Sequence, residues 1–470
     1  MINKYKLTIG CEVHAQIYSK YKLFSYSLND AHENIPNKNA SYFDIGLPGT
    51  MPLLNKFCIQ QSICTGLALG GNISPYIEFD RKHYYYPDLS SGFQITQQRF
   101  PIVLGGGLEL KSGKFISIRQ IHMESDAGKI THHRNRSLVD FNRSSVGLME
   151  IVTNPDMNSI DEVIEFLKLL RLTLRYINTC DGNMEDGNFR ADINISISST
   201  NELGTRVEIK NLNSFKFIES AILFEVERQK NLLENNHKVH QETRLFNSEE
   251  SITTSMRSKE DVVDYRYVYE PNIIGVEIKE EYLEDIKKTI PELPKNKLQR
   301  YLSLNIEEKI AENIIENKEL YNYLDEIIKK CNIDGKLITN WMMGDLRGFL
   351  TKQEKNFQDY SKEFFLDFLN LIKDNKISNK TAKYVLNKSI EENILPNDIV
   401  SKENLWQIND KNIINEFIKS VIKENKKIVE EYKNGNEKFF NVLIGILLKK
   451  TNGKLDGEIA KLHLLKALEV

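Results

Sequence analysis

Lys6-Leu7-Thr8-Ile9-Gly10-Cys11-Glu12-Val13-His14-Ala15-Gln16-Ile17 decides how the first half of this chain reads. Its odd positions from Leu7 to Ile17 are all apolar, while Glu12, His14 and Gln16 fall on even ones. Side chains of a strand alternate between two faces, so this pattern predicts a strand with one face in a core and Glu12 and His14 together on the other. Two further stretches keep the same period. Asp192-Ile193-Asn194-Ile195-Ser196-Ile197 places Asp192 on a polar face, and Arg206-Val207-Glu208-Ile209-Lys210 does the same for Arg206, Glu208 and Lys210. Residues 201–204 between them read as a hairpin loop. Such a hairpin sets Asp192 and Glu208 roughly opposite each other, a like-charge pair that costs stability unless something cationic sits between them.

Working outward, residues 158–177 give the clearest helix. Ser159 and Glu162 have capping-box spacing, and Val163, Leu167, Leu170, Leu174 and Ile177 form one apolar stripe that belongs to a core. Most glycines lie in the first 300 residues; beyond Pro291 and Pro294 the chain turns to Lys, Glu, Asn, Ile and Leu at helical spacing. That change marks a mainly β or α+β domain followed by helices. A polar interruption at residues 396–406 divides the helical part into two modules of unequal size.

The chain has 470 residues, which at about 150 per domain suggests roughly three domains. With 40% hydrophobic and 27% charged residues it has an ordinary globular balance. Its densest apolar stretch, residues 439–448, is far shorter than the ~18 residues needed to cross a bilayer. Residues 1–6 lead straight into patterned sequence with neither a secretory nor a transit leader, so the chain is expected to stay where it is made. The five cysteines, Cys11, Cys58, Cys64, Cys180 and Cys331, are scattered and include no C-x-x-C pair. They read as reduced core residues rather than a disulfide framework or a thiolate metal site. A net charge of −3 supplies no global positive field, so any nucleic-acid contact must come from local patches.

Four groups of residues have chemistry to offer, and each has a plainer reading beside it. Glu12, His14, Glu124, Glu150, Asp192 and Glu208, oxygen-rich and free of thiolates, suit a hard divalent ion, Mg²⁺ above all; taken singly, each is more at home on a solvated strand face. Phe79-Asp80-Arg81-Lys82-His83-Tyr84-Tyr85-Tyr86-Pro87-Asp88 interleaves cations with tyrosines and could grip phosphates or stack on bases, or could be a strand with a Pro-Asp turn. Leu104-Gly105-Gly106-Gly107 lacks the spacing of a phosphate loop and reads as a hairpin turn. Lys433, Lys438, Lys449, Lys450 and Lys454 could touch an RNA backbone or line a solvated helix face. There is no protein-kinase signature and no Gly-x-Ser-x-Gly elbow.

Several long motifs then make the pattern specific. Ile9-Gly10-Cys11-Glu12-Val13-His14, the Phe79 to Asp88 run with Gln94-Ile95, and His122-Met123-Glu124-Ser125-Asp126-Ala127-Gly128-Lys129 carry a resemblance. So do Ser137-Leu138-Val139-Asp140-Phe141-Asn142-Arg143, Asp181-Gly182-Asn183-Met184-Glu185 and Val207-Glu208-Ile209-Lys210-Asn211-Leu212-Asn213-Ser214-Phe215, with Gln241-Glu242-Thr243-Arg244 and Asp264-Tyr265-Arg266-Tyr267. In order and over essentially the whole chain, they resemble the B-subunit family of aspartyl/glutamyl-tRNA amidotransferases.

The resemblance implies an α+β protein: an antiparallel-sheet cradle, the catalytic domain, over residues 1–292, an all-α helical domain over 293–404, and a small helical tail domain contacting tRNA over 405–470. It implies an ATP- and Mg²⁺-dependent ligase that phosphorylates the side-chain carboxylate of Glu-tRNA(Gln), Asp-tRNA(Asn) or both. Ammonia from a partner amidase, the A subunit, then displaces the phosphate. Phosphate leaves where a carboxylate oxygen does not, which gives the acidic face a purpose. A small C subunit completes the implied heterotrimer; DNA and membrane are not implied partners. The compartment would be a bacterial cytoplasm, or an organelle matrix for an organelle-encoded copy.

Carried over by position, Glu12, His14, Glu150, Asp192 and Glu208 fall where the family gathers its metal-binding and catalytic groups, with Glu124 a further metal ligand. Charge and position in the pattern suggest Lys82, Lys129, Arg190 and Lys210 as phosphate contacts. Where the family has two consecutive acids after His-Met, the second here is Ser125, so one metal ligand is expected to be missing. Where some members hold zinc on four cysteines, this chain has Ser25, Ser27, Ser41 and Asp44, so no zinc is expected. The Asp-Tyr-Arg-Tyr core also loses a following phenylalanine, a matter of local packing. The rival readings are a non-catalytic tRNA-binding scaffold, which Ser125 favours, and a Mg²⁺-dependent phosphoesterase or nuclease built on the same carboxylates.

Overall fold

A computed structural model describes residues 4–257 and 264–468; residues 1–3, part of the stretch read for a leader, lie outside them. The chain divides into two compact units, Met1–Pro294 and Lys295–Val470.

In chain order the first unit runs β1 (Lys6–Gln16), α1 (Lys56–Ala68), β2 (Asn72–Ile73), β3 (Tyr76–Ile77), β4 (Asp80–His83), β5 (Phe93–Thr96), β6 (Val103–Leu104), β7 (Gly107–Glu109) and β8 (Phe115–Ser125). Next come β9 (Lys129–His133), β10 (Arg136–Asp140), β11 (Gly147–Thr153), α2 (Ile160–Tyr176), β12 (Phe189–Ser198), β13 (Val207–Lys210) and α3 (Phe215–Glu234). It closes with β14 (Glu242–Asn247), β15 (Ile252–Arg257), β16 (Val268–Tyr269), β17 (Val276–Glu277) and α4 (Glu280–Thr289).

A ten-stranded sheet dominates, in the order β15-β14-β13-β12-β1-β11-β8-β6-β2, with β7 also on β8. The alternation of β1 holds: Ile9, Cys11, Val13 and Ala15 are buried. They join Ile193, Ile195, Val207 and Ile209 of the neighbouring strands, and Val163, Leu167, Leu170 and Leu174 of α2, in one core. Burying each such side chain stabilises the fold by about 1.5–3 kcal/mol, which pins the face that Glu12 and His14 must occupy. Ser159 caps α2 by accepting from the Glu162 amide at 3.2 Å. Glu162 reaches back one residue further than a capping box does, to the Asn158 amide at 2.7 Å.

Three expectations need correction. The sheet is mixed, because β13 and β14 pair in parallel. The helix α3 between them supplies the crossover that a parallel pair requires. The Leu104–Gly107 segment is no hairpin: β6 and β7 both pair with β8, at Val103↔Ile121 and Gly107↔Ser117. Gly105 and Gly106 bend this edge run with positive φ, and a Cβ on Gly106 would lie 2.7 Å from the Leu69 carbonyl oxygen. Of the cysteines Cys331 is half-buried and the other four are buried; burial pushes the thiols of Cys58 and Cys180 up to about 12.

Buried Ser25 and Asp44 and half-buried Ser41 share one set with buried Lys22, whose ammonium is 3.3 Å from Asp44 Oδ2. The Ser25 and Ser41 hydroxyls donate to that same oxygen, at 3.1 and 2.9 Å, while Ser27 donates its amide to Ser25.

The second unit is helical, continuing to Gly457–Leu468. Lys297, Arg300 and Tyr301 converge on Asp325. Ile414, Ile418, Val421, Leu443, Leu447 and Leu464 belong to a separate apolar core within residues 405–470. Among the described residues no helix is long and apolar enough to cross a membrane.

Candidate active site

The site is built on β1, which is paired on both sides. Glu12 stands opposite Val152 of β11 and Asp192 of β12; His14 stands opposite Glu150 and Arg190. On the far side of β11, Glu150 also faces His122 of β8, and Glu124 lies two residues further along the same face. Beyond β12, the hairpin predicted from the period forms, with Glu208 of β13 opposite Asn194. Asp192 and Glu208 are thus diagonal neighbours rather than directly opposed.

The five acids and His14 resolve into two sets of three. Ligand atoms of His14, Glu124 and Glu150 lie within 4.8 Å of one another, and so do those of Glu12, Asp192 and Glu208. The expectation of one set around one ion is therefore corrected: Glu12 and His14 lie two positions apart on β1, so each gathers the acids nearest its own row. In the first set His14 Nε2 is 3.4 Å from Glu124 Oε1 and 3.6 Å from Glu150 Oε2. In the second, the cation demanded by the like charges is Lys210, at 2.6 Å from Asp192 and 2.9 Å from Glu208. Asn194 donates to Glu12 at 3.1 Å, and Thr243 donates to Glu208 at 2.8 Å.

Electrostatics separate the two sets. Burial and then the Glu150 charge push the Glu124 carboxyl up, and burial followed by Glu150 and Glu208 does the same to Glu12. Glu150 is held well below the usual carboxylate range: burial opposes this, but His122 and His14 more than offset it. Burial opposes protonation of His14, yet its hydrogen bond to Glu150 and the Glu124 charge raise its pKa. Lys210 likewise overcomes burial in keeping Glu208 low. The first set therefore crowds two carboxylates together, balanced by the His14 and His122 imidazoles and by the charge of Lys82. One imidazole nitrogen with two carboxylates is a donor set that fits Mg²⁺ or Mn²⁺.

Of the expected phosphate contacts, Lys82 is on β4 with its ammonium 4.8 Å over the Tyr265 ring. Burial would lower its pKa, but the charges of Glu124, Tyr267 and Glu150 raise it. Arg190 donates to Asp126 at 3.2 Å, and its buried Nε has no hydrogen-bond partner among the described residues. Lys210 is committed to Asp192 and Glu208. Lys129 is exposed on the separate β9–β10 ribbon, outside the sheet that carries the acids. Ser125 lies on the face opposite Glu124: its hydroxyl accepts from the Ile95 amide at 3.2 Å, as strand alternation demands.

The structure adds His122, which the sequence reading passed over. Its Nε2 is 3.2 Å from Glu150 Oε2. The signal was available, since His122 precedes Glu124 by two residues and must share its face. Asp126 was also missed; it takes both Arg143 and Arg190 as partners.

Comparison with known proteins places this chain in a family. Residues 7–284 match the GatB/GatE catalytic domain model, and residues 322–468 match the GatB domain model. The aspartyl/glutamyl-tRNA(Asn/Gln) amidotransferase B subunit of Ehrlichia canis (strain Jake) is 41% identical over 472 residues, covering 99% of this chain and 98% of that protein. The B subunits of Rickettsia bellii (strain RML369-C) and Rickettsia felis (strain ATCC VR-1525 / URRWXCal2) are 42% and 43% identical, each over 96% of this chain and 95% of theirs. The chain belongs to the B-subunit family of the aspartyl/glutamyl-tRNA(Asn/Gln) amidotransferases.

Proposed function

We propose that this chain is the activating and amidating subunit of a tRNA-dependent amidotransferase. It uses ATP to phosphorylate the side-chain carboxylate of glutamate on tRNA(Gln), aspartate on tRNA(Asn), or both. A carboxylate oxygen attacks the γ-phosphorus, the bond to ADP breaks, and an acyl phosphate results. Ammonia from a partner amidase then adds to the carbonyl carbon, phosphate leaves, and loss of a proton gives the amide. The observation that carries this reading is the His14–Glu124–Glu150 set, crowded with buried negative charge, next to Lys82 and to Arg190 with its unpartnered Nε.

His14, Glu124 and Glu150 are the residues that would hold Mg²⁺. When bound, the ion supplies charge neutralisation for phosphate oxygens. Lys82 and Arg190 are assigned to hold transferring phosphate oxygens. Glu12, Asp192 and Glu208 form the neighbouring acidic set; Lys210 bridges the latter two and lowers the pKa of Glu208. Lys129 is assigned no contact with the reacting groups. The hydrogen bond from Ser125 to Ile95 withdraws the feature that favoured a scaffold without catalysis.

Residues 293–404 and 405–470 are proposed as a helical domain and an RNA-contacting tail. The separate core around Ile414 and Leu443 supports the division, and exposed Lys433, Lys438 and Lys449 support RNA contact. The amidase and the small C subunit complete the proposed complex. The named relatives are bacterial, which favours a bacterial cytoplasm over an organelle.

Reconstitution with the partner amidase, offering each misacylated tRNA in turn, tests the reading. ATP consumption that depends on the misacylated tRNA is expected. Binding of tRNA without consumption would mean a scaffold, and tRNA cleavage without ATP a phosphoesterase.

A further inference from the structure

Glu150 is flanked by two imidazoles in one row across three strands: His14 of β1 on one side and His122 of β8 on the other. Both approach the same oxygen, Oε2, at 3.6 and 3.2 Å. Along its own strand the residues sharing its face are Leu148 and Val152, which have no side-chain donor. If His14 turns its Nε2 to an ion, that nitrogen can no longer donate to Glu150. His122 then remains as the donor that fixes the carboxylate.

Behind His122 stands Gln120, on the same face of β8, whose Nε2 is 3.3 Å from His122 Nδ1. Gln120 holds the Nδ1 side of the ring, and Nε2 faces Glu150 as a donor in both the Nε2–H tautomer and the imidazolium. His122 is only 6% exposed, which limits access of water to it. A carboxylate on a flexible glutamate stem gains affinity for an ion when its orientation is set beforehand.

We propose that His122 is a positioning residue, which with Gln120 behind it holds the Glu150 carboxylate in the orientation that closes on a divalent ion with His14 and Glu124. The assignment rests on the reading of those three residues as the ion's holders. His122 itself is assigned no contact with the ion or with substrate.

The test is Mn²⁺ binding to the full chain, followed by electron paramagnetic resonance without ATP or tRNA. Glutamine places an amide donor about where ring Nε2 lies, and asparagine about where Nδ1 lies. His122→Ala and His122→Asn should weaken Mn²⁺ binding by about 10- to 100-fold, and His122→Gln should restore it to within a few fold of the parent. Gln120→Ala should cost a few fold. Unchanged binding in the His122 variants, with binding lost in Glu124→Gln and Glu150→Gln, overturns this inference alone. Equal losses in His122→Gln and His122→Asn mean that packing matters rather than the donor, and also overturn it. A parent chain that binds no Mn²⁺, or whose binding survives both glutamate variants, overturns this inference and the ion assignment together. Should His122→Ala unfold, the glutamine and asparagine variants decide.

Discussion

At Glu12 and His14 a single strand face puts one residue into each acidic set, so these two positions probe the chemistry most directly. Either alanine substitution should lower tRNA-dependent ATP consumption by about 10²-fold or more, the scale on which removing one transition-state interaction acts. Affinity for the misacylated tRNA should change by less than about twofold. Parallel measurements of turnover and tRNA binding check this, and equal losses in both would put the site elsewhere. Lys210 carries a different expectation. Lys210→Ala leaves the diagonal neighbours Asp192 and Glu208 without their shared cation and should cost about 1–3 kcal/mol of stability. Added Mg²⁺ should raise the melting temperature of this variant more than that of the parent; an equal rise in both would show that Lys210 is not the charge balance of its set. The pairing of Glu12 with His14 was legible from period two alone. The division of the acids into two sets was not, because it depends on the register of β1 against two strands from distant sequence.

At the scale of elements, the strands and α2 could be read from the chain because their apolar period is local. The parallel β13–β14 pair escaped because parallel pairing follows from where the α3 crossover returns the chain, which no short window records. The edge glycines misled in a similar way: Gly105 and Gly106 look like a turn, but β8 provides one continuous partner for the residues on both sides. In the helical unit, Asp325 of helix Lys318–Lys330 ties down helix Pro294–Ser303 through Lys297, Arg300 and Tyr301. Burial would raise its pKa, but those three partners lower it. A carboxyl with a depressed folded pKa stabilises the fold above its ordinary value of about 3.9 and loses that contribution as pH falls through the folded value. Asp325→Asn should therefore cost about 2–3 kcal/mol at neutral pH. The gap to the parent should stay level down to about pH 5 and shrink progressively as pH falls below about 4. Chemical denaturation down to low pH checks it; a gap of unchanged size at about pH 3 would point to lost packing instead.

For the whole molecule, the separate apolar core within residues 405–470 permits a division of labour that truncation can test. Removing residues 405–470 takes away a core of its own and the exposed lysines around it. Binding of tRNA should weaken, and the slope of log affinity against log salt should become shallower, by about 0.9 for each phosphate that is no longer neutralised. The sheet unit should unfold at an unchanged temperature. Filter binding over a salt series and calorimetry check these outcomes, and an unaltered slope would take the tail out of the RNA interface. In the sheet unit itself, the two acidic sets are anchored two residues apart on its central strand, about 7 Å by the ~3.4 Å rise per residue. That interval belongs to the backbone, hydrogen-bonded along both edges, and side-chain repacking cannot stretch it. An effector wishing to retune the chemistry by separating its halves would have to tear out the middle of the sheet. Control is left to the gatekeeping of what arrives at this face, and in which order.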